Sequence, residues 1–166
     1  MKVFGFAAWS GSGKTTLIEQ LIPRFTARRL RVSVIKHVHH DFDVDRPGKD
    51  SFRHREAGAH EVLVGSDVRW ALMHELRGAP EPTLGHLVSR LSACDIVLVE
   101  GFRRQAFPKI EVHRQAAGGD WLHPGDPSIV AIASDAKPST QLPVFALEDY
   151  DAMVDFILSH PAEWTS

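Results

Sequence analysis

Residues 8–16 read Ala-Trp-Ser-Gly-Ser-Gly-Lys-Thr-Thr and follow directly on the apolar run Val3 to Ala7. A β-rich run that breaks into a glycine-rich loop and then a helix is the pattern of a phosphate-binding loop of the Walker A type. In such a loop successive backbone N–H groups converge on a β-phosphate. Ser10, Gly11, Ser12, Gly13, Lys14, Thr15 and Thr16 supply that cradle here. Lys14 can reach the β- and γ-oxygens as the catalytic cation, and the Thr15 hydroxyl can ligate Mg²⁺. Gly11 and Gly13 stand where the path needs left-handed φ values and close backbone approach. The usual first glycine is replaced by Ala8, which the loop tolerates because both glycines that touch phosphate remain.

Asp95-Ile-Val-Leu-Val-Glu100-Gly101 has the form of the second nucleotide motif, a buried strand that delivers a carboxylate to the Mg²⁺ or attacking-water side of a triphosphate. Ligands of parallel sheets bind beyond the carboxyl ends of the strands. That rule puts Asp95 at the wrong end and makes Glu100 the expected catalytic and metal-binding carboxylate.

His37, His39 and His40 with Asp41, Asp43 and Asp45 invite a metal-site reading, since imidazoles two apart on an extended chain share a side and carboxylates suit hard cations. A calcium loop fails here, because Arg46 replaces its turning glycine and Phe52 its bidentate glutamate. No cysteine is near for structural zinc. The stretch instead reads as a switch-like loop closing on a triphosphate, with Asp45, or Asp43 in its place, reaching Mg²⁺; a plain polar loop is the competing description. Arg53, Arg55, Arg103, Arg104 and Lys109 are cations that can clamp a second phosphate ligand or a partner's acidic surface, or simply face water. Asp135 follows a buried strand at the place where guanine-specific phosphate-loop proteins accept hydrogen bonds from the base, although the full Asn-Lys-x-Asp signature is absent.

These groups need a scaffold, and 166 residues suffice for one domain spanning 1–166. The charge is nearly balanced, with 19 basic and 21 acidic residues, so nothing points to nucleic acid. The single Cys94 excludes an intramolecular disulfide framework and, beside a nucleotide loop, indicates a reducing, cytoplasmic setting. The first apolar run is too short for a signal peptide, and no stretch approaches membrane-spanning length.

Apolar Leu17, Ile18, Leu21, Ile22 and Phe25 recur at helical spacing after the loop. Residues 31–36, 96–99, 129–133 and 144–147 read as strands, and 109–114 alternates like a half-exposed one. Short helices are expected from Asp50 or Ser51 to about Gly58 and over 84–91, with a closing helix over 150–158. Residues 61–64 and 68–74 flank Gly65-Ser66-Asp67, a hairpin with a three-residue turn whose strands are too apolar to stay bare. Residues 118–127, dense in Gly and Pro, read as a loop. The sum is an α/β fold of the P-loop NTPase type: a mostly parallel sheet with helices on both faces and an added antiparallel hairpin.

Four stretches in this order, Phe-Ala-Ala-Trp-Ser-Gly-Ser-Gly-Lys-Thr-Thr (6–16), the His-His-Asp-Phe-Asp-Val-Asp-Arg-Pro-Gly-Lys-Asp run within 35–51, Arg-Trp-Ala-Leu-Met (69–73) and Leu-Val-Glu-Gly-Phe (98–102), resemble the molybdopterin-guanine dinucleotide biosynthesis proteins of the MobB family. Only about 116–127 lacks a match. The resemblance implies a homodimeric, GTP-binding adaptor with weak GTPase activity, assisting the guanylyltransferase that joins GMP to molybdopterin. Arg103 stands where a water-orienting glutamine is expected, which accords with slow hydrolysis. Trp9 occupies the place of the signature lysine that related dimeric ATPases extend to a partner's nucleotide, so that chemistry is not expected. The alternative reading is a stand-alone kinase acting on a small metabolite, with Asp43 or Asp45 as base and Arg103 or Arg104 as clamp.

Overall fold

Five of the six residues of strand β1 (Lys2–Ala7) are buried, because the strand is hydrogen-bonded on both sides and covered on both faces. The computed structural model describes residues 1–38, 42–162 and 164, which fall into two compact units. The first comprises Met1–His37 and Leu84–Ser166; the second, Val38–Thr83, is inserted between those segments.

In the first unit the elements run β1, α1 (Lys14–Ala27), β2 (Val32–Lys36), then, beyond the inserted unit, α3 (Leu84–Ser89), β5 (Ile96–Glu100), β6 (Lys109–His113), β7 (Ile129–Ser134), β8 (Val144–Phe145) and α4 (Tyr150–Ser159). The six strands form one parallel sheet in the order β2-β5-β1-β6-β7-β8. Pleat alternation divides the central strands between two cores. Phe4, Phe6, Leu98 and Ile110 pack with Leu21 and Phe25 of α1 and Met153 and Ile157 of α4. Val3, Val97 and Val99 face Leu84 and Val88 of α3, with Phe102 and Phe107. Each such fully buried large side chain contributes roughly 1.5–3 kcal/mol.

β6 departs from the sequence expectation: all five residues are buried rather than alternate ones. Segment 114–128 folds back and satisfies the polar groups of the strand. Lys109 Nζ donates to Asp126 Oδ2 at 3.0 Å and Ser128 Oγ at 2.6 Å. The Glu111 carboxylate accepts the Leu122 and His123 amides at 2.7 and 2.9 Å and pairs with His123 Nδ1 at 3.0 Å. Burial alone would raise the Asp126 carboxyl, but hydrogen bonds from Ser128 and Lys109 outweigh it and hold it below the usual range. Lys109 is thus a buried structural cation, unavailable as a surface clamp.

The amino edge of this sheet gathers the chain ends. The Lys2 ammonium donates to the His160 carbonyl, and the Trp164 amide to the Met1 carbonyl at 3.2 Å. Asp95 sits at the same edge, accepting the Arg31 amide at 2.8 Å.

The second unit holds α2 (Asp50–Glu56) and the antiparallel pair β3 (Glu61–Gly65) and β4 (Trp70–His74). α2 begins at Asp50, one of the two starts that the sequence offers, and Lys49 precedes it without a side-chain capping bond. The hairpin connection is longer than expected, and β4 begins at Trp70 rather than Val68. The Ser66 hydroxyl accepts the Val68 and Arg69 amides at 3.2 and 3.1 Å, drawing both residues into the turn. Leu63, Leu72 and Trp70 share one hairpin face, and Trp70 is 64% exposed.

Candidate nucleotide site

The phosphate loop begins one residue beyond β1, at the carboxyl edge of the sheet. Gly11 and Gly13 have φ of 80° and 86°, the left-handed values that the sequence requires of them. Gly13 is the residue before α1, and its carbonyl takes the first intrahelical bond, from Leu17 N–H at 2.9 Å. The amides of Lys14, Thr15 and Thr16 therefore have no partner within the helix and remain available to an anion, with the helix dipole behind them. The Ser12 amide differs, closing a tight turn onto the Trp9 carbonyl at 3.4 Å.

Register fixes the second component. Glu100 lies level with Phe6 on one side and Lys36 on the other. Its Oε1 accepts the Thr15 hydroxyl at 2.8 Å, and its Oε2 is 3.7 Å from Lys36 Nζ. A hydroxyl and a carboxylate in contact at the end of the loop are hard oxygen donors of the kind Mg²⁺ takes, so this pair fits such an ion. At Gly101, φ is 106° and an added Cβ would lie 2.6 Å from His37 Cβ; only glycine fits this turn. The His37 ring lies 4.5 Å from that of Phe102, tilted by 39°.

Trp9 was legible only as a non-lysine. In the structure the Arg103 guanidinium lies 4.9 Å over its ring, and its Nε1–H donates to the Asp120 carbonyl at 2.7 Å. Segment 114–128, which contains the stretch of about 116–127 without a recognisable match, is therefore a wall of the candidate site. Arg114, at its start, lies against the loop, its Nη2 3.6 Å from the position of a Cβ on Gly13. Asp135 stands at the end of β7 as expected, and its Oδ1 accepts the Gln115 amide at 2.8 Å. A groove runs from the loop along the start of α1, lined by Gly13, Thr16, Arg114, Leu147, Glu148 and Tyr150. Neither Arg114 nor Glu148 was singled out by the sequence, since each is an isolated residue without a motif.

In the second unit Arg55 is surrounded by carboxylates. It bonds both Asp43 oxygens at 3.0 and 2.8 Å and Glu75 at 2.9 Å, and its Nε faces Asp45 Oδ2 at 3.5 Å. Asp45 Oδ1 also accepts the Ser51 hydroxyl at 2.9 Å. The Arg55 hydrogen bond, reinforced by the Asp45 amide, holds the Asp43 carboxyl below the usual carboxylate range, while Asp43 and Glu75 raise the guanidinium further. Arg55 is thus engaged within its own unit rather than free to clamp a ligand. Arg53 remains exposed, 3.8 Å from Asp50. His39, His40 and Asp41 lie outside the described residues.

A parallel sheet whose first strand feeds a glycine-rich anion cradle, with a carboxylate delivered by the neighbouring strand, defines a chain of the P-loop NTPase class. A family model described as "MobB: Molybdopterin guanine dinucleotide synthesis protein B" matches residues 3–135, and the chain belongs to that family. It is 42% identical over 168 residues to the molybdopterin-guanine dinucleotide biosynthesis adapter protein of Escherichia coli (strain K12), covering 98% of this chain and 92% of that one. The adapter protein of the same description from Haemophilus influenzae is 50% identical over 116 residues, 68% of this chain and 64% of the relative. A crystal structure of molybdopterin-guanine biosynthesis protein B superposes with a TM-score of 0.75 at 26% identity, over 95% of this chain and 98% of that one. The kinase alternative finds no support: these relatives are described as adapters, and Asp43, held as an anion by Arg55, is a poor proton acceptor.

Proposed function

We propose that the chain is a GTP-binding adaptor in molybdopterin guanine dinucleotide biosynthesis, assisting the guanylyltransferase that couples GMP to molybdopterin. The observation that carries the nucleotide reading is the Thr15–Glu100 contact beneath an anion cradle of helix-start amides. The Lys14, Thr15 and Thr16 amides and the Lys14 ammonium bind the phosphates, and Ser10 to Gly13 shape the loop around them. Thr15 and Glu100 would hold Mg²⁺, which would supply neutralisation of phosphate charge. Asp45, in the inserted segment, is the second carboxylate that the sequence offers to Mg²⁺; in the structure Arg55 and Ser51 supply its contacts.

Turnover is slow in this reading. Arg103 packs on Trp9 instead of orienting water, and the catalytic roles fall to Lys14 and Glu100. The adaptor role then lies in presenting nucleotide, or in organising transferase and molybdopterin. We further propose a cytoplasmic homodimer in which the hairpin face of Leu63, Leu72 and Trp70 is covered by a second copy, the whole chain serving as one nucleotide-binding domain. No helix among the described residues is long and apolar enough to cross a membrane.

Calorimetric titration with a non-hydrolysable GTP analogue and Mg²⁺ tests the core of this reading. Wild type binds one analogue per chain, and Lys14→Ala reduces affinity at least a hundredfold while the thermal midpoint of the free protein stays put. Equal affinity in the two proteins overturns it.

A further inference from the structure

The groove beside the phosphate loop carries a recognition chemistry of its own. It leaves the cradle at Gly13 and Thr16 and reaches Leu147 and Tyr150, so apolar and polar side chains line it together. The Arg24 guanidinium lies 4.5 Å over the Tyr150 ring. Two charges line the slot. Arg114 follows β6 and lies against Gly13, next to the phosphate end. Glu148 follows β8, at the same carboxyl edge of the sheet. Their charged groups have no ion pair with each other or with any other described residue. Asp135, the residue that sequence position favours for reading a base, has one carboxylate oxygen occupied by the Gln115 amide.

We infer that this groove takes the base of the nucleotide and that Glu148 selects guanine, with Arg114 at the sugar–phosphate end. The inference rests on the nucleotide reading above and names its specificity residue. Guanine presents adjacent N1–H and N2–H₂ donors, which one carboxylate accepts through both oxygens; adenine presents the N1 acceptor at the same edge and is repelled. A base resting against Leu147 and Tyr150 gives up water along its edge, so an unmatched edge there is costly. Arg114 gives the slot a polarity, cationic beside the loop and anionic at Glu148, which orients a nucleotide with its phosphates toward the cradle.

The charge pattern makes a sharp test, because Glu148→Gln exchanges one acceptor for a donor. Xanthine carries an oxygen at C2 where guanine carries an amine, so the amide matches xanthine and mismatches guanine. Affinities for fluorescent analogues of GTP, ATP and xanthosine triphosphate are measured with Mg²⁺ in wild type, Glu148→Gln, Asp135→Asn and Lys14→Ala. Wild type is expected to prefer GTP. Glu148→Gln loses GTP affinity at least tenfold and gains xanthosine triphosphate, while Asp135→Asn keeps the wild-type order. Glu148 is exposed, so an unchanged melting temperature is expected alongside. If Glu148→Gln retains the GTP preference, if Asp135→Asn shifts it to xanthosine triphosphate, or if wild type does not discriminate among bases, Glu148 is not the selector and the nucleotide reading stands. If wild type binds no triphosphate, or Lys14→Ala binds as well as wild type, the nucleotide reading falls and this inference with it.

Discussion

Trp9, inside the phosphate loop, donates its indole N–H to the carbonyl of Asp120, 111 residues away, at 2.7 Å. The partner segment comes so close that a Cβ on Gly119 would sit 2.5 Å from Trp9 Cδ1, and Gly119 itself has φ of 93°. Gly119→Ala must therefore push the two apart, at a cost of about 2 kcal/mol from overpacking and backbone strain together. Urea denaturation measures the loss, and hydrogen exchange at 118–120 reports the loosening. Trp9→Phe keeps a ring under Arg103 but lacks the donor, so it should cost about 1 kcal/mol and speed exchange at the same amides.

Glu111 answers three donors from one buried position. Glu111→Ala strands the Leu122 and His123 amides and is expected to destabilise the protein by about 3 kcal/mol. Glu111→Gln retains one acceptor and loses less. Urea midpoints order the three proteins, and an alanine variant as stable as wild type would show that the segment is not anchored by this carboxylate.

His160 gives an acid-side prediction. Burial, with the Lys2 charge beside it, depresses its pKa below the ordinary value of about 6.5, and its Nδ1 accepts the Ala162 amide at 3.2 Å, a bond open only to an unprotonated nitrogen. The folded state resists protonation more than the unfolded chain does. Stability is full above about 6.5 and falls as pH drops through the depressed value. Melting temperatures from pH 7.5 to 5 should decline less steeply in His160→Gln than in wild type.

The hairpin face predicts self-association. Trp70→Ser with Leu72→Ser removes exposed apolar area without touching either core, so the double variant should sediment as a monomer where wild type sediments as a dimer. A monomeric wild type at micromolar concentration would dispose of the dimer.

Glycine spacing and strand patterning made the parallel sheet and the cradle readable in advance. The two glycines lie at the φ values their positions imply, and Glu100 falls at the binding edge because β5 is a continuous apolar run ending in that residue. The wall of the site was not readable. Lys109 and Glu111 looked solvated because their partners lie 11 to 19 residues onward in a stretch of Gly and Pro without periodicity. Arg55 looked like a free cation because helix position says nothing of Asp43 and Glu75, brought to it by a turn and a hairpin. Arg114 and Glu148 come to line one groove only through the order of the strands, which no local pattern encodes.

Lys2 is tied to His160 and Trp164 to Met1 at the amino edge of the sheet, whereas the phosphate loop opens at the carboxyl edge. A six-residue strand separates the two, roughly 20 Å at the usual rise. A dye or surface tether carried on Met1 or Trp164 therefore sits at the opposite edge of the sheet from the phosphate loop, and an immobilised chain keeps that loop open to incoming molecules.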